Sequence, residues 1–133
     1  MNIESLSRYQ PYGLSVLRIV SALLFMLHGT QKLFAFPVGR SPGPVDYFSL
    51  MGLAGVLEVV GGLALLVGLF TRPVAFVLSG LAAFAYWMGH APRDLFPVNN
   101  GGDAAILFCF VFLYLVAAGP GPWSVDAARA KAA

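Results

Sequence analysis

Three ionisable side chains interrupt long apolar stretches of this chain: Arg18, His28 and Glu58. Placing such a group in hydrocarbon costs about 2.5–3.5 kcal/mol on insertion scales, so each is expected to face protein or water rather than lipid. An imidazole titrates near neutrality, and a carboxyl beside it makes a pair able to pass a proton. Glu58 and His28 are therefore the candidate catalytic pair, and Arg18, Lys32, Tyr86, His90 and Asp103 are the candidate ligand-binding residues around it. A Glu and a His buried between helices are also a common register-fixing hydrogen-bonded pair, and that structural reading stands beside the chemical one. The single cysteine, Cys109, excludes an internal disulfide, a CxxC redox pair and a thiolate zinc cluster. Nor is there a haem, iron–sulfur, flavin or other dinucleotide motif, so no metal site is expected.

The elements that must position these residues are membrane spans. Of the 133 residues 59% are hydrophobic and 11% charged, and mean hydropathy is +0.79, whereas a soluble domain carries about 25% charged residues. The net charge of +2 comes from so few ionisable groups that it gives no argument for nucleic acid. Apolar stretches at about 13–34, 50–70, 73–90 and 104–118 are continuous rather than alternating, which favours helices over a strand barrel. The expected fold is all-α: one integral-membrane domain over residues 1–133, built as a four-helix transmembrane bundle. Thr71-Arg72-Pro73 reads as the break between the second and third spans, because proline lacks the amide that a helix interior needs. The first span has no small-residue cleavage site and is followed by further spans, so it is expected to be retained. Four spans put both termini on one side with Arg8, Arg72, Arg129 and Lys131, against Lys32, Arg40 and Arg93 on the other. Positive-inside weighting then makes both termini cytoplasmic and the 91–102 loop external.

Helical periodicity gives each span one polar-containing stripe, as a bundle with a polar interior requires. These are Arg18, Ser21, Phe25, His28, Gly29 and Lys32; Gly55, Glu58 and Gly62; Ser79, Ala83, Tyr86 and His90; and Asp103, Leu107, Phe110 and Tyr114. All four are expected to face inward, with the phenols of Tyr86 and Tyr114 seeking partners. Counting 1.5 Å per residue, Glu58 lies about 18 Å from the end that carries the termini, His28 about 22 Å, Lys32 about 28 Å and Arg18 about 8 Å. That makes a Glu58–His28 pair feasible, with Lys32 reaching toward it. Arg18 leans the other way, to snorkel or to bond the Thr71-Arg72 loop unless it bends back. His90 and Asp103 are expected to form a polar mouth with Lys32 and the Asn99-Asn100-Gly101-Gly102 turn. Asp103 equally suits stabilising the start of the fourth helix, and Cys109, off its polar stripe, reads as a small hydrophobe.

Quoted together, the motifs are Leu27-His-Gly-Thr-Gln-Lys-Leu33, Ala54-Gly-Val-Leu-Glu-Val-Val-Gly-Gly-Leu63, Leu69-Phe-Thr-Arg-Pro73, Ala85-Tyr86, His90 and Phe96-Pro-Val-Asn-Asn-Gly-Gly-Asp103. In this order, across residues 13 to 126, the chain resembles the DoxX family of small four-helix bacterial membrane proteins. The resemblance implies a multi-pass protein of the bacterial inner membrane, linked to quinone-coupled thiosulfate oxidation or to oxidoreductase complexes of oxidative stress. The expectation that follows is a subunit or partner of a membrane oxidoreductase system that binds a quinone non-covalently. Other membrane or redox proteins, or further copies of the chain, would be its partners, and electrons would come from one of them. A non-catalytic assembly or anchoring component is the alternative. A small transporter is a third reading, disfavoured by the lack of an inverted repeat.

Overall fold

The computed structural model describes residues 3–39 and 43–133. A 3₁₀ segment, Ile3–Tyr9, leads into α1 (Gln10–Phe34), followed by α2 (Leu50–Val67), α3 (Thr71–Ala85) and a π-helical turn (Tyr86–His90). A four-residue helix α4 (Pro97–Asn100), α5 (Asp103–Ala118) and α6 (Val125–Ala132) complete the order, and no strand occurs among the described residues. Arg40, counted above among the charges opposite the termini, lies outside the described residues.

Three helices are long and apolar enough to cross a bilayer: Ile3–Phe34, Leu50–Val67 and Thr71–His90. The fourth, α5, has 16 residues, about 24 Å at 1.5 Å per residue against a hydrocarbon core of about 30 Å. Large apolar side chains such as Val60, Leu63, Phe76, Leu107 and Phe110 are exposed on the outside of the bundle, which suits contact with lipid rather than water.

The helices pair as two hairpins. α1 lies along α2 and α3 along α5, while α2 touches α3 less and α1 touches α5 least. Glycines explain the closeness of the first pair: a Cβ on Gly29 would stand 2.7 Å from the Gly55 carbonyl oxygen and 2.8 Å from Glu58 Cβ. Gly80, in α3, has nothing within 4 Å of the corresponding position. Gly29→Ala is therefore expected to destabilise by about 1–3 kcal/mol through forced separation of α1 and α2. Gly80→Ala is expected to be neutral or to stabilise by up to about 1 kcal/mol. Unfolding of the two variants in mixed micelles checks the ranking, and the reverse order would mean that α1 and α2 do not meet at Gly29.

The α2–α3 break lies earlier than the TRP tripeptide suggested. Gly68 (φ 71°) ends α2 in the left-handed region, Phe70 (φ 49°) precedes α3, and Thr71, Arg72 and Pro73 form the first turn of α3. A proline there costs nothing in hydrogen bonds, because the amides of a first turn have no intrahelical acceptor. The orphan amides of Phe70 and Thr71 are instead taken by the Asp126 carboxylate of α6, at 2.9 and 2.8 Å. Partial burial opposes the charge of Asp126, but the hydrogen bonds from Thr71 and Phe70 outweigh it and hold the carboxyl below the usual range.

Two arginines close this end of the bundle. Arg72 Nη1 donates to the Val116 and Ala117 carbonyls, at 2.5 and 2.6 Å, in the last turn of α5. Arg18, 0% exposed, donates to four carbonyls: Leu65 (2.5 Å) and Leu66 (2.7 Å) at the end of α2, Pro120 (2.8 Å) and Trp123 (2.5 Å). Arg18 thus neither snorkels nor bonds the Thr71-Arg72 loop; the unsatisfied carbonyls and negative dipole end of α2 are nearer and better acceptors.

α5 turns a different face inward from the one that its polar residues suggested. Phe112 and Leu115 are fully buried, whereas Leu107, Phe110 and Tyr114 are 65%, 63% and 49% exposed and Asp103 is also exposed. This helix is apolar all round, so one Asp and one Tyr at its ends cannot define a packing face, and a tyrosine there sits comfortably at a lipid interface. The stripe of α3 does face inward from Ser79, whose hydroxyl donates to the Cys109 carbonyl of α5 at 2.8 Å. Cys109 itself is half-buried against the core.

Candidate functional site

At the end opposite the termini the two hairpins part. They leave a cleft of about 130 Å³ lined by Phe25, His28 and Lys32 of α1, Glu58 of α2, Ala82, Ala85 and His90 of the third span, and Gly101, Ala104, Ala105 and Phe108 at the start of the fourth. The rings of Phe25 and Phe108 meet edge to face at 5.1 Å, and Phe108 stacks on Phe112 at 5.7 Å. Below them the core is filled by Ala22, Leu65, Ala75 and Leu78.

The charged element of the cleft is an ion pair. Lys32 Nζ donates to both carboxylate oxygens of Glu58, each at 2.6 Å, and Glu58 is only 3% exposed. The partner of Glu58 is therefore Lys32 and not His28, which corrects the pairing read from depth. The reason is angular. Gly29 is the residue of α1 that packs on Glu58, and one residue is 100° of helix, so His28 is turned toward α5. There its ring meets Phe108 edge-on at 6.0 Å. Lys32, one turn beyond Gly29, has a four-carbon stem and leans back toward its own N-terminus, which brings its ammonium down onto Glu58.

The third span contributes through its π-helical turn, a distortion that widens the helix and re-aims its side chains. His90 Nδ1 lies 3.1 Å from the Asn100 carbonyl oxygen, and the Tyr86 and His90 rings are stacked, 6.5 Å apart at 17°. Asn100, 2% exposed, organises this corner: its amide donates to the Tyr86 hydroxyl (3.3 Å) and the Asp94 carbonyl (3.0 Å), and its Oδ1 accepts from the Gly102 amide (2.8 Å). A Cβ on Gly102 would come within 2.5 Å of the Tyr86 ring, so glycine is needed at that position.

Of the residues singled out by sequence, His28, Lys32, Glu58 and His90 thus come together around one cleft. Tyr86 stands behind His90 rather than on the wall. Arg18 is held at the other end of the bundle by four carbonyls, and Asp103 is exposed at the start of α5; neither lines the cleft. The residues given no role of their own by sequence reasoning are Asn100, read as part of the turn at the polar mouth, Phe25, read as part of the inward stripe of α1, and Phe108, which it does not name. The hint for Asn100 was its place in a Pro-Val-Asn-Asn-Gly-Gly turn, where a short amide side chain often bonds nearby backbone.

A bundle of apolar-surfaced helices around a buried ion pair defines a multi-pass helical membrane protein. The DoxX family model matches residues 13–91, and the chain belongs to the DoxX family. It is 43% identical over 128 residues to an uncharacterized protein of Haemophilus influenzae, covering 93% of this chain and 96% of that one. It is 30% identical over 149 residues to an uncharacterized membrane protein of Mycobacterium tuberculosis (92% and 85% covered). It is also 26% identical over 136 residues to Inner membrane protein YqjF of Escherichia coli (91% and 95% covered). No solved structure matches the chain significantly.

Proposed function

We propose that this protein is a carrier-binding, proton-handling component of a membrane oxidoreductase system, with the head of a quinone-type carrier seated in the cleft. The observation that carries the reading is the Lys32–Glu58 pair, sequestered from water at the wall of a cleft otherwise built of aromatic rings, alanines and two histidines. A cleft of about 130 Å³ suits one six-membered ring, since an apolar cavity of about 150 Å³ takes up benzene. A bound quinone would supply two-electron, two-proton carrier chemistry, its electrons coming from a partner protein. Phe25 and Phe108 would flank the ring. Lys32 has one N–H left after its two bonds to Glu58 and would donate it to a ring oxygen. His28, which makes no hydrogen bond among the described residues, would exchange protons with the ligand. Purification from native membranes with lipids retained, followed by quinone quantification, tests this: about one quinone per chain is expected, falling sharply in a folded Lys32→Met/Glu58→Leu variant. Trace quinone at the level of bulk lipid, unchanged in that variant, would count decisively against it.

The same reading sets the protein in the bacterial inner membrane with its termini in the cytoplasm, which puts the cleft in the outer half of the bilayer. The Lys/Arg asymmetry supports it: Arg8, Arg72, Arg129 and Lys131 share the end that carries the termini. Reporter fusions after Pro122 and within Asn99-Asn100 are expected to report cytoplasm and periplasm respectively. The opposite assignment would reverse the orientation.

A further inference from the structure

We propose that the cleft selects its ligand by a hydroxyl hydrogen, accepting the reduced, hydroxyl-bearing form of a ring at His90 Nε2 in preference to the oxidised form. This rests on the ligand-binding reading above. The argument begins with the Asn100 carbonyl, which can only accept. Its 3.1 Å contact with His90 Nδ1 is a hydrogen bond only when Nδ1 carries the hydrogen, and in a neutral imidazole the other nitrogen is then a lone pair. His90 lines the cleft, and in the neutral ring Nε2, the nitrogen that Asn100 does not engage, is an acceptor for a ligand.

The tautomer is firmly held. The acceptor is the main-chain carbonyl of Asn100, a residue whose amide donates to the Phe96 carbonyl at 3.0 Å and whose side chain is tied by three hydrogen bonds, to Tyr86, Asp94 and Gly102. The Tyr86 ring lies nearly parallel to the imidazole, at 17° and 6.5 Å between centroids. The remaining polar groups of the cleft do not discriminate in the same way. Lys32 donates to either oxidation state, and His28 makes no hydrogen bond among the described residues, so it can present either tautomer. A quinone carbonyl set against His90 Nε2 places lone pair against lone pair, whereas a hydroquinone hydroxyl donates to it. A site built around a hydrogen-bonding partner rejects an analogue that lacks it, because its own polar group is left unpaired.

The test uses the full chain in nanodiscs and three probes: duroquinol kept reduced with dithionite, duroquinone, and duroquinol dimethyl ether. The ether is redox-inert and keeps both oxygens while losing both hydroxyl hydrogens. Duroquinol is expected to bind at least about tenfold more tightly than either of the others. His90→Phe, which keeps a ring against Tyr86, is expected to bring the three within about twofold. Should that variant fail to fold, the ¹⁵N spectrum of histidine-labelled wild-type protein gives an independent reading, with a protonated Nδ1 and an unprotonated Nε2 expected for His90. Equal affinities for all three probes, tighter binding of duroquinone, or a protonated Nε2 in the neutral ring would overturn this proposal and leave the carrier-binding reading intact. Binding of none of the three would end both.

Discussion

Lys32→Met is expected to destabilise the folded protein by about 3–5 kcal/mol, because it leaves the Glu58 carboxylate, 3% exposed, without its ammonium. The cost is that of an uncompensated buried charge rather than of one lost contact. Removing the other partner should cost less, since the Lys32 side chain is 17% exposed and can turn its head toward water. The double change Lys32→Met with Glu58→Leu is expected to regain most of the loss, as apolar replacement of both members of a buried pair commonly does. Unfolding by denaturing detergent in mixed micelles measures all three variants. If Lys32→Met were as stable as the wild type, the pair would not be buried as described. A stable double variant also separates structure from chemistry: packing restored without carrier binding is the expected result of the proposed function, and full retention of binding would reduce the pair to a register-fixing device.

Arg18→Leu is expected to cost at least about 3 kcal/mol, since a charge-assisted hydrogen bond contributes about 1.5–3 kcal/mol and this guanidinium makes four. The four do not add fully, but the carbonyls of Leu65, Leu66, Pro120 and Trp123 lose a shared donor together. Arg18→Lys should fall between, because one ammonium cannot reproduce the planar fork that reaches four oxygens in two segments. The expected signature is local as well as global. Residues 119–133 should become susceptible to protease before the rest of the chain, since the Pro120 and Trp123 contacts help tie them to α1. Wild-type resistance of that segment in Arg18→Leu would contradict the clamp.

Much of the architecture was legible because hydropathy in this chain is unambiguous: long apolar stretches with few charges leave helices across a bilayer as the natural outcome. The Gly55, Glu58 and Gly62 face was legible for a related reason, since one carboxyl between two glycines marks a close packing surface, and all three are buried. The partner of Glu58 was not. Depth counting favours His28, which it puts within about one turn of Glu58, over Lys32; the rotation of α1 set by the contact of Gly29 with α2, together with the length of the lysine stem, reverses that choice. The inward face of α5 was hidden because nearly every residue on it is apolar. The Thr71-Arg72-Pro73 break is misplaced by sequence because a proline that cannot continue one helix is equally at home in the first turn of the next. The role of Asn100 depends on a hydrogen-bonded corner that forms only when the short α4 turn meets the π-helical end of the third span.

The Arg18 clamp also has a consequence for the order of biosynthesis. Its acceptors belong to residues 65–66 and to residues 120 and 123, so the last of them is translated 105 positions after the arginine. At about 5–20 residues per second, that interval is on the order of 5–20 s. Until residue 120 is made the guanidinium lacks at least half of its acceptors, and an ionised group without partners favours water or lipid headgroups over the bilayer interior. Synthesis of the Pro120–Trp123 segment is thus the step that completes the acceptor set of Arg18.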